Sequence, residues 1–306
     1  MINREEIEKY RKIALPELMS MALAEKLRYR ARKVSLCTII NAKSGKCSED
    51  CRFCVQSGHY NTEAPVYPLK SNGEILAAAR EALRIGSGRF SLVTSGRGMG
   101  KREIGQVAEV IAAIRSQVGI EVCGSFGIQD VDDFRRLKEA GLSRYHHNLE
   151  TSREYFPQVV STHTFDERVE TIRAAHEAGL QVCAGGIFGL GESEEDRISM
   201  ALTLRELQVD SIPINVLIPL PGTPLADCEP PVIPDILRSI ALYRLINPEI
   251  PIRLAAGREN VLADFLGQAF MAGVDGMMIG GYLTQKGRLP EQDLQFVEAI
   301  RGIWEG

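Results

Sequence analysis

Residues 121–149 read EVCGSFGIQDVDDFRRLKEAGLSRYHHNL and contain one complete pattern of strand, helix and strand. The runs 121–126 and 144–149 are short and rich in β-forming residues, whereas the segment between them has the apolar spacing of a helix. The helical segment ends at Gly141, a residue that tolerates the left-handed conformation with which many helices close. Two strands connected through a helix in this way are expected to run parallel.

The same pattern recurs along most of the chain. Gly179 and Gly273 close two further helical segments. Capping-box pairs open two helices, at Thr164 with Glu167 and at Ser193 with Asp196. The strand-like runs are 34–40, 89–94, 121–126, 144–149, 181–188, 211–217, 252–255 and 276–279. Eight such units in roughly 270 residues predict an α/β fold, a single-domain (β/α)8 barrel of the TIM type. A doubly wound open sheet is the alternative.

Composition narrows the function. The chain has 306 residues, 44% of them hydrophobic, and a formal net charge of -4, so it lacks the positive charge expected of a nucleic-acid partner. It contains no run of about 18 apolar residues that could span a membrane. Residues 1–33 are charged throughout and are predicted to form a helical lead-in to the barrel at 34–306. They lack the apolar segment of a signal peptide, so we expect a cytoplasmic protein with a small-molecule substrate.

Cys47, Cys51 and Cys54 form a C-x3-C-x2-C motif soon after the first predicted strand. Loops in this position build the active-site face of a barrel. Three thiolates can bind three irons of a [4Fe-4S] cluster and leave the fourth iron without a protein ligand. A zinc site or a redox-active dithiol is the alternative, but zinc sites usually take four ligands, and the sequence has no second C-x2-C pair.

With Phe53 between its last two cysteines, this motif resembles the signature of the radical S-adenosylmethionine superfamily. Longer stretches resemble the biotin synthases within that superfamily, and they occur in the family order. These stretches are YHHNLETS (145–152), CAGGIFGLGE (183–192), PIN (213–215), GTPL (222–225) and RLAAGR (253–258). The resemblance implies a sulfurtransferase that forms biotin from dethiobiotin.

Residue by residue, the resemblance implies roles for the site. Cys47, Cys51 and Cys54 are expected to be the catalytic ligands of a reactive [4Fe-4S] cluster. The residues expected to bind S-adenosylmethionine are Phe53, Asn148, Glu150, Arg168 and Ile187. Those expected to contact dethiobiotin are His146, Asn148 and Asn215, with His146 in a place that the family usually fills with Asn. A Glu can accept hydrogen bonds from both ribose hydroxyls, and an Arg can pair with a carboxylate.

Three further cysteines, Cys37, Cys123 and Cys183, lie inside the first, third and fifth predicted strands, and Arg253 lies on the seventh. Taken singly, a buried strand cysteine is usually a small hydrophobic residue. However, alternate strands of a (β/α)8 barrel contribute the side chains of one interior layer. These four side chains are therefore expected to converge near the barrel axis if they point inward.

In the biotin synthases that this chain resembles, three cysteines and an arginine hold an auxiliary [2Fe-2S] cluster whose sulfide becomes the sulfur of biotin. Cys123, Cys183 and the catalytic Arg253 match that set. Ser91 stands where the family has its third cysteine, and Cys37 stands where it has a serine. Our hypothesis is that Cys37 replaces the missing ligand and that the auxiliary cluster contains four irons. Loss of catalytic competence is the alternative.

The implied partners are dethiobiotin, a low-potential electron donor of the flavodoxin or ferredoxin type, and a second copy of the chain in a homodimer. Cys228 is predicted to be a free thiol rather than a further ligand. The main rival is a radical enzyme of the hydrogenase-maturation or mutase type, which needs no sulfur-donating cluster in the core. A lipoyl synthase would have an N-terminal cysteine cluster, and residues 1–33 contain no cysteine. A non-catalytic scaffold would bind iron without cleaving S-adenosylmethionine.

Overall fold

Nine parallel strands form one continuous sheet in the computed structural model, which describes residues 2–283 and 287–305. The strands are β1 (Ser35–Lys43), β2 (Arg89–Thr94), β3 (Glu121–Ser125), β4 (Leu142–His146), β5 (Gln181–Cys183), β6 (Gly186–Phe188), β7 (Ile212–Val216), β8 (Ile252–Leu254) and β9 (Gly276–Met278). Their order across the sheet is β5-β4-β3-β2-β1-β9-β8-β7-β6. Met1 and Gly306, the outer ends of the predicted lead-in and barrel, lie outside the described residues.

The sheet closes into a barrel because its two edge strands belong to one chain segment. β5 pairs with β4, β6 pairs with β7, and only residues 184–185 separate β5 from β6. A parallel bridge between Cys183 and Ser211 also joins the two sides. The predicted TIM-type barrel is therefore confirmed, and the open-sheet alternative does not hold.

Two predicted strands differ from the structure. The run 181–188 is interrupted at residues 184–185, where the chain passes from one neighbouring strand to the other. Gly185 is required there, since a Cβ atom would lie 1.9 Å from the carbonyl oxygen of Pro213. The run 144–149 is also not a strand over its whole length, because β4 ends at His146. Beyond it the backbone bends, and Glu150 has a φ of 69°, which an extended strand cannot contain.

Helices cover the outside of the barrel. They are α1 (Arg4–Arg11), α2 (Leu15–Arg30), α3 (Asn72–Arg84), α4 (Lys101–Gln117), α5 (Val131–Glu139), α6 (Phe165–Glu177), α7 (Glu194–Glu206), α8 (Ile233–Ile246), α9 (Leu266–Met271) and α10 (Pro290–Glu305). Gly141, Gly179 and Gly273 follow helix ends with positive φ, and Thr164 and Ser193 form the predicted capping boxes. Within 2–283 and 287–305, no helix is both long enough and apolar enough to cross a membrane.

The amino ends of the strands form a closed floor. Arg244 of α8 is fully buried there, and its guanidinium donates to the carbonyl oxygens of four residues: Gly273, Asn247, Pro248 and Ile250. It also donates to the carboxylate of Asp275 at 3.3 Å. Lys26 of α2 donates to the carbonyl of Ala31 and lies 3.1 Å above the ring of Trp304 in α10. We call Lys26, Arg244, Asp275 and Trp304 the floor cluster.

Candidate active site

A cavity of about 440 Å³ extends from the loops at the carboxyl ends of the strands into the barrel interior. Its walls include every residue that the sequence singles out for a role in catalysis or binding. These are Cys37, Cys47, Cys51, Phe53, Cys54, Cys123, His146, Asn148, Glu150, Arg168, Cys183, Ile187, Asn215 and Arg253. Cys228, predicted to be a free thiol, lies in the segment between β7 and α8 and does not line the cavity.

Cys47, Cys51 and Cys54 lie in the loop that follows β1. Backbone bonds fold this loop on itself: the Cys54 N–H donates to the carbonyl of Cys51, and the Cys47 N–H donates to the carbonyl of Gln56. Burial raises the pKa of both Cys51 and Cys54, in the case of Cys54 to about 11. These thiols therefore hold their protons at neutral pH unless a metal displaces them.

The same loop is anchored to the segment before α6 by two acidic residues between Cys47 and Cys51. The carboxylate of Asp50 accepts hydrogen bonds from the backbone N–H groups of Ser161 and Thr162. Glu49 is buried, contacts His163 Nδ1 at 2.5 Å, and accepts from Thr162 Oγ1 at 2.9 Å. Neither Glu49 nor His163 was predicted from the sequence, although two carboxylates inside a cysteine motif are a signal for such an anchor.

The spacing of the side chains bears on the zinc alternative. Among the residues that the structure describes, no three His, Cys, Asp or Glu side chains converge closely enough to bind a single metal ion. A tetrahedral zinc ion needs such convergence. In an iron-sulfur cube each thiolate binds a different iron, so the ligands stand farther apart. The described residues therefore offer no site for a tetrahedral zinc ion.

Asn148, Glu150 and Arg168 form a connected group on one wall. Arg168 Nη1 donates to the backbone carbonyl of Asn148 at 2.9 Å and lies 3.6 Å from Glu150 Oε1. Asn148 Nδ2 donates to Glu150 Oε2 at 3.3 Å. Burial raises the pKa of Glu150, and its left-handed backbone is the kind of strain that often occurs at binding sites. The N–H of Ile187 donates to the Glu150 carbonyl, which places Ile187 on the same wall.

Deeper in the barrel, Cys37, Cys123, Cys183 and Arg253 are all buried. Arg253 Nε donates to Ser211 Oγ at 3.0 Å, and Arg253 Nη2 donates to Ser35 Oγ at 3.2 Å. Burial lowers the pKa of Arg253, but the neighbouring Cys37 and Cys183 thiolates raise it more. The four side chains that the strand numbering places in one layer thus line the same cavity.

The surroundings of Cys123 are rich in cationic and polar groups. Burial raises the pKa of its thiol, but the side chain of His146 and the charge of Arg89 lower it overall. Arg89 Nη1 lies 3.9 Å from the Cys123 sulfur. Ser91 is the register partner of Cys123 on the adjacent strand. Its hydroxyl is buried and has no hydrogen-bond partner in the described part of the chain.

Buried groups without partners lie in the wall of the lower cavity and beside it. In residues 2–283 and 287–305, no hydrogen-bond partner is present for Ser91 Oγ or His146 Nε2, which line the cavity, or for Nε and Nη1 of Arg144, which does not. Buried donors of this kind normally have an acceptor. Thiolate and sulfide are acceptors with negative charge, so the residues fit an iron-sulfur cluster. Neither Arg89 nor Arg144 was predicted from the sequence, although each precedes an inward residue, Ser91 or His146, by two positions.

Comparison with known proteins agrees with this geometry. Residues 42–204 match the Radical SAM superfamily, and residues 213–300 match the Biotin and Thiamin Synthesis associated domain. The biotin synthase of Pelotomaculum thermopropionicum is 51% identical over 288 residues, which cover 94% of this chain and 89% of that protein. The chain belongs to the biotin synthase family. A family member from Thermotoga petrophila is 44% identical, with 94% of this chain and 98% of that protein covered.

Solved structures support the fold of this biotin synthase family member. Methylornithine synthase (PylB) superposes with a TM-score of 0.85 at 19% identity, and covers 100% of this chain and 96% of its own. HydG, a maturase of the [FeFe]-hydrogenase, superposes with a TM-score of 0.83 at 18% identity, and the match covers 98% of this chain and 71% of the HydG chain. At such low identity these matches show the fold alone. The predicted family and enzyme class are confirmed, and the rival of the mutase or hydrogenase-maturation type is not favoured.

Proposed function

We propose that this chain forms biotin from dethiobiotin, with two sulfur-ligated sites that act in one cavity. Cys47, Cys51 and Cys54 are the ligands of the reactive [4Fe-4S] cluster. The ligands of the auxiliary cluster are Cys37, Cys123, Cys183 and Arg253. The observation that supports this assignment is that one cavity is lined by both cysteine sets and by the residues assigned to the two small molecules.

When bound, the reactive cluster and S-adenosylmethionine supply a 5'-deoxyadenosyl radical, and the auxiliary cluster supplies sulfur. The chain orients the reactants between these groups and excludes other hydrogen donors. Phe53 and Ile187 contact the adenine. Glu150 accepts hydrogen bonds from the ribose. Its carboxylate is oriented for this role by burial and by the neighbours to which it is bonded. Arg168 pairs with the methionyl carboxylate, and its Nε is buried without a partner in the part of the chain that the structure describes.

Dethiobiotin contacts His146, Asn148 and Asn215 in this proposal. Asn215 is held rigidly, since its Nδ2 donates to the Gly186 carbonyl at 3.1 Å and its Oδ1 accepts from the Ala256 N–H at 3.1 Å. One amide N–H of Asn215 then remains for the substrate. The ureido ring of dethiobiotin offers a carbonyl acceptor and N–H donors, which amide side chains can match.

The position of Cys37 supports the relocated-ligand hypothesis. Along the pair β1 and β2, Cys37 is in register with Arg89, whereas Ser91 is in register with Ile39. Cys37 therefore lies on the adjacent strand and two residues nearer the floor than Ser91. Compared with a cysteine at position 91, Cys37 is displaced both across the sheet and along the strand. This displacement increases the separation between the ligands in the set that includes Cys123 and Cys183. A wider set suits an auxiliary cluster with four irons.

Several further points belong to the same proposal. The electron donor is a flavodoxin or ferredoxin, the chain forms a homodimer, and residues 1–33 form a lead-in to the barrel at 34–306. The location is the reducing cytoplasm, where buried thiols and clusters are protected from oxidation.

The test is anaerobic reconstitution of the full chain, with iron and sulfide counts, Mössbauer spectra and an assay of biotin from dethiobiotin. We expect about eight irons for two cubes. Cys37→Ala should lower this number by about four and abolish biotin formation, with cleavage of S-adenosylmethionine retained. Cys228→Ala is the matched control, because Cys228 lies outside the cavity, and it should change neither value.

A different result would overturn the proposal. About four irons in the parent, unchanged in Cys37→Ala and without biotin, would leave an enzyme with a single cluster. Eight irons with full activity in Cys37→Ala would show that Cys37 is not a ligand. The double variant Cys37→Ala with Ser91→Cys should recover auxiliary iron if the position of the third thiol determines cluster binding.

A further inference from the structure

Arg144 is a buried arginine in the barrel interior that the proposed mechanism does not use. It lies on β4, is 6% exposed, and is the register partner of Cys123 on β3 and of Gln181 on β5. Register partners on parallel strands point to the same face of a sheet. Cys123 lines the cavity, so the side chain of Arg144 also points into the barrel, behind the cavity wall that Cys123 helps to form.

The hydrogen bonds of Arg144 are incomplete. Its Nη2 donates to Gln181 Oε1 at 2.9 Å. Its Nε and Nη1 are buried and have no acceptor within the described residues. A guanidinium carries five N–H donors, and leaving a buried charged donor without an acceptor is unfavourable. Arg144 therefore needs an acceptor that the described chain does not supply.

A second guanidinium lies next to Arg144. Arg89 Nη2 donates to the same Gln181 Oε1 at 3.4 Å, and Arg89 Nη1 lies 3.9 Å from the Cys123 sulfur. An anionic acceptor suits two neighbouring cations beside a cysteine. Ionised thiolates next to iron and sulfide would supply both the negative charge and the missing acceptor atoms.

We infer that Arg144 is a positioning residue of the auxiliary cluster, and that its Nε–H and Nη1–H donate hydrogen bonds to sulfur atoms of that cluster. The inference rests on the proposed function, since it requires the cluster held by Cys37, Cys123 and Cys183. Hydrogen bonds to sulfur and nearby positive charge stabilise the more reduced, more negative state of a cluster. Arg144 should therefore both retain the cluster and raise its reduction potential.

The test compares the parent protein with Arg144→Met and Arg144→Lys after anaerobic reconstitution with 57Fe. Iron loss to a chelator is followed by Mössbauer spectroscopy, which separates the two clusters, and the midpoint potential of the auxiliary cluster is measured by redox titration. Arg144→Met should lose auxiliary iron about 10-fold to 100-fold faster, as for other residues that orient metal ligands. Arg144→Lys should show a smaller change, because a lysine retains the charge but not the planar fork. The reactive cluster should be unaffected.

Arg244→Lys is the matched control for loss of stability. Arg244 is also buried, but its donors are satisfied by carbonyl oxygens and Asp275 on the floor. This variant should unfold more easily and yet keep the parent rate of iron loss. Unchanged iron loss and an unchanged potential in both Arg144 variants would overturn the inference. A parent protein with only one type of cluster would instead contradict the proposed function itself, and this inference with it.

Discussion

The two ends of this barrel both contain buried charged residues, but they satisfy them differently. On the floor, Arg244 directs its donors to four backbone carbonyls and to Asp275, and Lys26 has both a carbonyl acceptor and the ring of Trp304. In the barrel interior, Arg144 has one partner for its many donors among the described residues. The guanidinium of Arg244 thus finds its acceptors within the chain, whereas two donor nitrogens of Arg144 do not.

This difference separates two reasons for burying a charge. A buried charge with all its partners in the chain helps to fix the packing of the elements that it joins. A buried charge without partners costs stability in the apoprotein, and its cost is offset when a ligand binds. Three predictions test whether this distinction holds.

The largest effect is expected for Arg244→Ala. The variant removes the donor from four carbonyls and leaves the buried Asp275 with Arg30 as its remaining arginine partner. The free energy of unfolding of the apoprotein should fall by about 3 to 5 kcal/mol, the usual cost of breaking a buried pair. Denaturant unfolding of the anaerobic apoprotein measures this change. A loss below about 1 kcal/mol would show that the floor is not held by these bonds.

Arg144→Met should raise the free energy of unfolding in the same apoprotein assay, an effect opposite in sign to that of Arg244→Ala. It removes a buried charge that repels Arg89 and Arg253 and fills the space with an apolar chain. Replacing buried ionic groups by hydrophobic ones is often neutral or stabilising, and here we expect a gain of about 1 to 3 kcal/mol. If Arg144→Met were as destabilising as Arg244→Ala, the two ends would not differ in the way described.

Glu49→Gln tests a buried charge in the cavity that, like Arg244 on the floor, has its partners within the chain. Glu49 accepts bonds from Thr162 and contacts His163, so it ties the loop of Cys47 and Cys51 to the segment before α6. Loss of its charge should weaken retention of the reactive cluster by about 10-fold, without effect on the auxiliary cluster. Chelator competition with Mössbauer detection measures both clusters in one sample.

Glu103→Gln is the control for this third prediction. Glu103 pairs with Lys43 at the same end of the barrel, but it is partly exposed and lies on α4. It should leave both rates of iron loss at the parent value. Equal rates in the parent and in Glu49→Gln would show that the anchor does not support the cluster.

Much of the fold was predictable because barrel units repeat locally. The helix ends at Gly141, Gly179 and Gly273 depend on backbone freedom at single residues, so the sequence reports them directly. The run 181–188 was predicted as one strand because residues 182–188 have no polar side chain, although the pair Gly185-Gly186 is a signal for a break in a strand. The break arises where the chain exchanges β4 for β7 as its neighbour, a consequence of barrel closure.

The candidate site likewise has one part that was predictable from the sequence and another that was not. The motif of Cys47, Cys51 and Cys54 spans eight residues, so it is visible in the sequence. The anchor between Glu49 and His163 joins residues that are 114 positions apart, and no local pattern encodes such a contact.

The sequence by itself determined which side chains can bind iron and sulfur, because ligand chemistry belongs to residue types and the strand numbering places alternate strands in one layer. Only the tertiary structure decided which polar groups lack a partner. Arg244 and Arg144 are the same residue type, and both are buried. They differ because the fold directs carbonyl oxygens toward Arg244 and leaves two donor nitrogens of Arg144 without an acceptor in the described residues.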